Sequence, residues 1–146
     1  MSDEPTEELM AGPTLQLRKL QVTTGGRIAY SERFHSGVNI IRGENGSGKS
    51  TIADFIFYIL GGEFDDWKAV ARNCDEVQAE ILTSRGPICL RRDIEGKQAP
   101  IKVFFGSWDE AQGHSLDGWE TFAIRRHEKS TKPSFSQMMF RSMLIP

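Results

Sequence analysis

The feature that most constrains this chain is the segment GENGSGKS at residues 43–50, which fits the phosphate-binding pattern G-x-x-x-x-G-K-[ST] at every fixed position. Its glycines let the backbone turn tightly and bring N–H groups close to phosphate oxygens. Lys49 is expected to reach the β- and γ-phosphates of ATP, and the Ser50 hydroxyl to take one coordination position on Mg²⁺. The predicted nucleotide-binding residues are Gly43, Glu44, Asn45, Gly46, Ser47, Gly48, Lys49, Ser50 and Thr51.

The flanking sequence gives this motif the expected context. Residues 38–41 form a short apolar run typical of a buried strand. Residues 51–60 are apolar on nearly every side, which predicts a buried helix that ends at Gly61 and Gly62. A strand, a glycine loop and a helix in this order aim a helix N-terminus at a phosphate. A glycine-rich turn without a ligand is the simpler alternative, but such a turn would need neither Lys49 nor Ser50.

The composition of the chain limits the class of protein to which it can belong. With 146 residues, 38% of them hydrophobic and 26% charged, the chain has room for one globular domain. It lacks both an 18-residue apolar run and the order of a signal peptide, so we expect no membrane association and a location in the cytoplasm or at the nucleoid. Cys74 and Cys89 are expected to be free thiols, and the three histidines show no metal-ligand spacing. The net charge of −2 offers no overall attraction to nucleic acid.

Strand patterns surround the phosphate motif on both sides. Residues 1–13 are acidic and predicted to be a disordered extension. A hairpin is predicted from residues 15–22 and 27–34, with Ile28, Tyr30 and Phe34 as its second strand's inward residues. Further strands are expected at residues 77–81, 88–94, 101–105 and 119–126, the first three forming an antiparallel meander, and residues 106–118 are expected to form a loop.

The end of the chain has helical spacing. Ser134 and Gln137 stand at capping-box positions, and Met138, Met139 and Met143 belong to an apolar stripe that follows them. We expect this stripe to face a core that the chain does not fully supply.

These pieces together resemble the N-terminal half of the ATPase head of SMC, SbcC, RecN and RecF-type proteins, which belong to the ABC class. The resemblance rests on the hairpin, on GVNIIRGENGSGKST, on the helix after it and on WKAVARN leading into a strand. SMC-like subunits of Lamassu-type bacterial defence systems are similar. The implied fold is an α/β P-loop lobe over residues 14–146, with a mixed sheet, an antiparallel meander and a buried P-loop helix.

The resemblance also implies partners and chemistry. Such a lobe hydrolyses ATP with its own C-terminal lobe and a second head, and the assembled protein acts on DNA, in some cases with a nuclease subunit. The later motifs of the family, including the Walker B acidic pair, are not found in this sequence. The pairs Asp65–Asp66 and Asp109–Glu110 do not follow apolar strands.

Three cationic features leave alternatives open. Arg72 lies where the family carries an arginine loop that approaches nucleotide or DNA, but it equally fits a surface arginine. Arg27 could lie beside the base or ribose. The basic stretch at residues 125–132 fits either a solvated loop or a phosphate contact.

Two other functions compete with the ATPase lobe. A small self-contained P-loop enzyme such as a kinase would carry the same motif, but such enzymes alternate strands and helices after the loop. An interaction module that binds nucleotide as a structural element would bind ATP without turnover.

Overall fold

The computed structural model describes residues 15–35, 49–113 and 115–144. The acidic extension at residues 1–13, the expected strand at 38–41, the loop residues 43–48 and the Met143 side chain lie outside the described residues, so the predictions made for them stay predictions.

Six strands form one sheet in the described ranges, in the order β2-β1-β3-β4-β5-β6, and every neighbouring pair is antiparallel. The strands are β1 (Leu15–Thr24), β2 (Arg27–Arg33), β3 (Glu76–Thr83), β4 (Gly86–Asp93), β5 (Ile101–Phe104) and β6 (Glu120–Phe122). The helices are α1 (Lys49–Ile59), α2 (Ala69–Arg72), α3 (Trp108–Gln112) and α4 (Phe135–Leu144). The hairpin and the meander are thereby confirmed, while β6 is shorter than the strand expected at residues 119–126. The expected mixed sheet depends on residues 38–41 and stays a prediction.

The hairpin of β1 and β2 turns at Gly25 and Gly26, both with positive φ. Its register shifts after the pair Val22–Tyr30, and the next pair is Thr23–Ile28. The extra residue in β2 is a bulge that moves Ile28 to the opposite face from Tyr30. The prediction that Ile28 points inward is therefore wrong, and its side chain is 62% exposed. Tyr30 and Phe34 pack at the edge of the core as expected.

The main core lies between one face of the sheet and helices α1 and α4. Phe55, Tyr58 and Ile59 of α1 are buried, but Phe57 is 55% exposed, so α1 is covered on one side rather than all round. The helix ends as predicted. The Gly61 N–H donates to the Tyr58 carbonyl at 3.0 Å, and φ at Gly61 is 101°.

Helix α4 begins with the predicted capping box. The Ser134 N–H donates to Gln137 Oε1 at 2.9 Å, and the Gln137 N–H donates back to Ser134 Oγ at 3.3 Å. Met138 and Met139 are buried against this chain's own core, so the expectation that they lack a covering core is wrong for these two residues. Among the described side chains of α4, Phe140 is large, apolar and 60% exposed.

The opposite face of the sheet carries a second, smaller core made by Cys89, Phe104, Trp108 and Ala111. Residues 106–118 are therefore not a plain loop. They contain α3, whose capping box joins Ser107 and Glu110, and a short 3-10 helix at Leu116–Gly118. The spacing Ser-x-x-Glu was visible in the sequence, but a five-residue helix gives no periodic apolar pattern to detect.

Strand β3 is buried on both faces because α3 covers the second one. The Glu80 carboxylate, 8% exposed, accepts a hydrogen bond of 2.7 Å from the Trp108 N–H at the start of α3. Cys89 of β4 is paired with Glu80 of β3. Burial raises the pKa of the Cys89 thiol to about 12, and the negative charges of Glu80 and Glu110 add to the effect. Cys89 is thus a neutral thiol at physiological pH.

A fully buried arginine fastens the end of α1 to the turn after β4. Arg92 donates to four carbonyl oxygens at 2.7–3.0 Å, those of Tyr58, Gly62, Lys97 and Ala99. Its guanidinium carbon lies 3.8 Å from the centre of the Tyr58 ring. Burial lowers the pKa of Arg92 from its usual range, but an arginine remains charged in proteins. Two of its four acceptors belong to the last turn and exit of α1, where a cation is favoured.

Candidate nucleotide site

The candidate site is the N-terminal end of α1, where the chain leaves the phosphate motif. The helix begins at Lys49 and has no acidic residue in its first turn. Helix N-termini carry unpaired N–H groups and partial positive charge, and this first turn adds no carboxylate to repel a phosphate. Ser50 is exposed, whereas Thr51 is buried with 6% of its surface accessible. The two hydroxyl residues therefore have different surroundings, and the exposed one matches the predicted Mg²⁺ ligand.

Lys68 comes to this end of the helix from the segment before α2. Its ammonium donates a hydrogen bond to the Ser50 hydroxyl oxygen. Both side chains are exposed. The sequence reading did not single out Lys68, because 18 residues separate it from Ser50 and neither residue belongs to a pattern that links them.

An aromatic cluster holds the backbone next to Lys68. Trp67 is 7% exposed, and its ring centroid lies 5.1 Å from that of Phe55, 5.1 Å from that of Tyr58 and 4.7 Å from that of Phe64. The contacts with Tyr58 and Phe64 are edge-to-face, a favourable arrangement for aromatic rings. Phe55 and Tyr58 belong to α1, so the segment that carries Lys68 is packed onto the helix that carries Ser50.

Arg72 lies at the end of α2 and is exposed. Its Nε donates to the Trp67 carbonyl at 3.0 Å, so the guanidinium folds back toward the segment that holds Lys68. This places Arg72 on the same side of the molecule as Trp67. A contact from Arg72 to nucleotide or DNA stays a prediction.

Arg27 is the first residue of β2, exposed and paired with Thr24 beside the hairpin turn. The turn is fastened by Asp75. The Gly25 N–H donates to the Asp75 carboxylate, and the Asp75 N–H donates to the Thr23 carbonyl at 2.8 Å. A contact of Arg27 with base or ribose stays a prediction.

A groove of about 200 Å³ opens beside the first turn of α1. Residues from β1, β2, α1, α2 and the chain after α2 line it: Val22, Ala29, Tyr30, Thr51, Ile52, Phe55, Val70, Ala71 and Cys74. Most of these side chains are apolar. Burial, with a smaller contribution from Glu32, raises the pKa of Tyr30, so its hydroxyl stays neutral. The groove is therefore a mainly apolar surface that meets the first turn of α1 at Thr51 and Ile52.

The acidic pairs considered as Walker B candidates do not approach this end of α1 as strand-end carboxylates. Asp65 and Asp66 are exposed in the chain before Trp67. Asp109 and Glu110 lie in the first turn of α3, on the opposite face of the sheet. In the parts of the chain that the structure describes, no group of three or more His, Cys, Asp or Glu side chains could hold a metal ion.

Residues 125–132 form bends and turns, as the loop interpretation predicts. Arg125 pairs with Glu63 at 2.9 Å and Lys132 with Glu120 at 3.4 Å, all on exposed or half-exposed side chains. Two of the cations of this stretch are thereby engaged by carboxylates. Whether the remaining ones contact a phosphate stays untested.

Comparison with known families agrees with the motif. A family model described as an AAA domain matches residues 33–143, more than half of the chain. No curated protein matches the sequence. Within the described ranges, no helix combines the length and the apolar character that crossing a membrane requires. The chain belongs to the AAA domain family, a family of nucleotide-binding P-loop ATPases.

Proposed function

We propose that this chain is the ATP-binding N-terminal lobe of an SMC-like ATPase that acts on DNA, in repair, chromosome maintenance or defence of the Lamassu kind. The observation that carries the proposal is the complete phosphate-binding motif at the entry to α1, inside the matched AAA domain. The ligand is ATP with Mg²⁺. Ser50 suits this metal because Mg²⁺ prefers oxygen ligands and the hydroxyl is exposed at the first turn of the helix.

The order of the strands supports a lobe of the ABC type over a self-contained kinase. After α1 and the short α2, β3, β4 and β5 follow one another as antiparallel neighbours. A kinase with a parallel sheet would alternate strands with crossover helices at this point. The described part of the chain holds no such crossover between these strands.

The groove beside α1 is the place where we put the base of the nucleotide. It is mainly apolar, and Thr51 and Ile52 connect it directly to the first turn of α1. A base in this groove would leave its phosphates near the helix N-terminus, where N–H groups and the positive end of the dipole stabilise them.

Hydrolysis requires more than these residues provide. Phosphoryl transfer to water needs a group that orients the water and charges that stabilise the transition state. Neither acidic pair among the described residues stands at a strand end near Ser50. We therefore place the remaining groups on a C-terminal lobe and a second head, with DNA and, in some assemblies, a nuclease subunit as further partners.

Nucleotide binding is tested with a fluorescent ATP analogue in the presence of Mg²⁺. Lys49→Ala should lower the affinity by about a hundredfold or more, because the lysine opposes the charge of two phosphates. Lys129→Ala removes the same charge from the exposed loop after β6 and serves as the matched control. Far-UV circular dichroism should be the same for all three proteins. Equal affinity of the parent chain and Lys49→Ala would contradict the assignment.

ATP turnover by the purified chain distinguishes an incomplete ATPase lobe from a self-contained enzyme. The purified 146-residue chain is expected to bind ATP without multiple turnovers, and mixing it with the C-terminal segment of its parent protein should start hydrolysis. If the chain alone turns ATP over and Lys49→Ala abolishes that activity, the self-contained enzyme becomes the better assignment.

A further inference from the structure

The contact between Lys68 and Ser50 puts a cation on the oxygen that Mg²⁺ is expected to bind. The Lys68 ammonium is the donor and the Ser50 hydroxyl oxygen is the acceptor. In a Mg²⁺–nucleotide complex, the same oxygen would donate a lone pair to the metal at about 2.1 Å. An ammonium within hydrogen-bond distance of that oxygen would then lie only a few ångströms from a divalent cation.

Both arrangements put a cation on the Ser50 oxygen, and the phosphates of a bound nucleotide would offset only part of the repulsion between two cations held there. Like charges at such a distance repel strongly, even where the effective dielectric constant is moderate. Lys68 and Mg²⁺ therefore compete for the Ser50 hydroxyl, and each one brings positive charge to the same place beside the helix N-terminus.

The surroundings of Lys68 suit a side chain that can exchange with a metal. Its backbone is fixed, because the preceding Trp67 is buried in the aromatic cluster and the Lys68 carbonyl accepts hydrogen bonds from the N–H groups of Ala71 and Arg72 at 2.9 and 3.1 Å. Its side chain is exposed, and a lysine carries its charge on a flexible four-carbon stem. The ammonium is thus tethered close to Ser50 without being locked there.

We propose that Lys68 is a stand-in for Mg²⁺, whose ammonium neutralises the nucleotide phosphates beside Ser50 when the metal is absent and withdraws when Mg²⁺ binds. This inference rests on the proposed nucleotide site. It assigns Lys68 to the binding of metal-free nucleotide, a state that occurs when Mg²⁺ arrives after the nucleotide or leaves before it. Lys68 would act by neutralising phosphate charge during binding, and it is not a catalytic residue.

The competing explanation is a purely structural tie between α1 and the segment before α2. A hydrogen bond between two exposed side chains contributes little to stability. A structural role would also change nucleotide binding to the same extent with and without metal, which is the basis of the test.

The test compares the affinity of the 146-residue chain for fluorescent ADP and ATP analogues in excess Mg²⁺ and in excess EDTA. Lys68→Met keeps the length of the stem and removes the charge. We expect it to weaken binding in EDTA by about tenfold, the size of one lost charge-assisted contact, and to leave binding in Mg²⁺ unchanged or slightly stronger. Lys68→Arg, which keeps the charge, should retain most of the affinity in EDTA. Lys129→Met is the matched control and should behave as the parent chain under both conditions.

The outcomes are distinct. If Lys68→Met weakens binding equally in Mg²⁺ and EDTA, or in neither, the stand-in role is overturned while the nucleotide site remains. If it weakens binding in Mg²⁺ alone, Lys68 supports the metal complex and the proposal is reversed. If the parent chain binds neither analogue under either condition, the proposed function fails and this inference fails with it. Thermal unfolding without nucleotide should be the same for all variants, and a large loss of stability in Lys68→Met would favour the structural tie.

Discussion

The two ends of helix α1 are held in different ways. At the C-terminal end, the Tyr58 and Gly62 carbonyls accept hydrogen bonds from Arg92, which is 1% exposed, and the Tyr58 hydroxyl donates to the Asp93 carbonyl at 2.6 Å. At the N-terminal end, the described residues place an exposed hydroxyl next to an exposed lysine. Buried groups with several partners are costly to disturb, whereas exposed groups can exchange partners with water or a ligand.

The difference suggests a division of work along one helix. The C-terminal end anchors α1 to the turn after β4, and the N-terminal end stays available for a charged ligand. Substitutions at the first end should change the free energy of unfolding and leave nucleotide affinity nearly intact in the protein that still folds. Substitutions at the N-terminal end should lower nucleotide affinity and leave the free energy of unfolding nearly unchanged.

The largest expected effect on stability is that of Arg92→Met. The change removes four hydrogen bonds from a buried site, although the Tyr58 carbonyl keeps the Gly61 N–H as a donor. We expect the free energy of unfolding to fall by at least about 3 kcal/mol. Urea titration followed by circular dichroism measures it. Arg125→Met is the matched control. It removes an arginine whose pair with Glu63 is exposed, and it should leave the unfolding midpoint nearly unchanged. A small effect of Arg92→Met would mean that the C-terminal end is not the anchor.

Gly61→Ala should have a smaller effect of the same kind. A β-carbon at this position would meet the Phe135 ring at 2.9 Å, and φ at Gly61 is 101°. We expect a loss of about 1–3 kcal/mol from the strained backbone and the displaced ring. The control is Gly96→Ala, where an added β-carbon has nothing within 4 Å. Unchanged thermal unfolding in Gly61→Ala would show that the exit from α1 tolerates rearrangement.

Ser50→Ala tests the other end of the helix. It should leave the free energy of unfolding within about 0.5 kcal/mol of the parent value, because the side chain is exposed. If Ser50 binds Mg²⁺ as proposed, its loss should reduce the advantage of Mg²⁺ over EDTA in nucleotide binding by about tenfold. Binding in both solutions gives this ratio. A ratio equal to that of the parent chain would remove Ser50 from the metal site.

Arg72→Ala carries the smallest expected effect. If Arg72 contacts a DNA phosphate in the complete protein, its loss should flatten the dependence of DNA affinity on salt concentration by about one unit of logarithmic slope. Stability should change little, since the side chain is exposed and its described bond is to a neighbouring carbonyl. Unaltered salt slope and unaltered ATPase activity would leave Arg72 as a surface residue.

Much of the fold could be predicted from local patterns. The turn at Gly25 and Gly26, the stop of α1 at Gly61 and the capping box of α4 each depend on residues within a few positions of one another. The prediction for Ile28 failed because a one-residue bulge reverses the alternation, and no local pattern announces the bulge. The Met138 and Met139 prediction failed for a related reason, since burial depends on which surface α4 meets.

Local sequence patterns predict the surroundings of the charged residues even less well. A sequence reading places Arg92 in a strand but cannot tell that its guanidinium bonds to the end of α1, because the acceptors lie up to 34 residues away. Glu80 stands between two apolar residues of β3, and it is buried because α3 covers its face of the sheet. Whether a buried charge stabilises or destabilises the fold depends on its hydrogen-bond partners, and only folding brings those partners close to it.

The sequence by itself determined the phosphate-binding motif, the class of most elements, the position of the hairpin turn and the end of α1. These properties follow from residue type and short spacing, which act through neighbouring atoms of the same chain. The tertiary structure alone decided that β1 joins the hairpin to the meander, that Arg92 ties down one end of α1, and that Lys68 reaches Ser50 at the other. Those contacts link distant parts of the chain, and they form only after strand pairing and core packing have fixed where each segment lies.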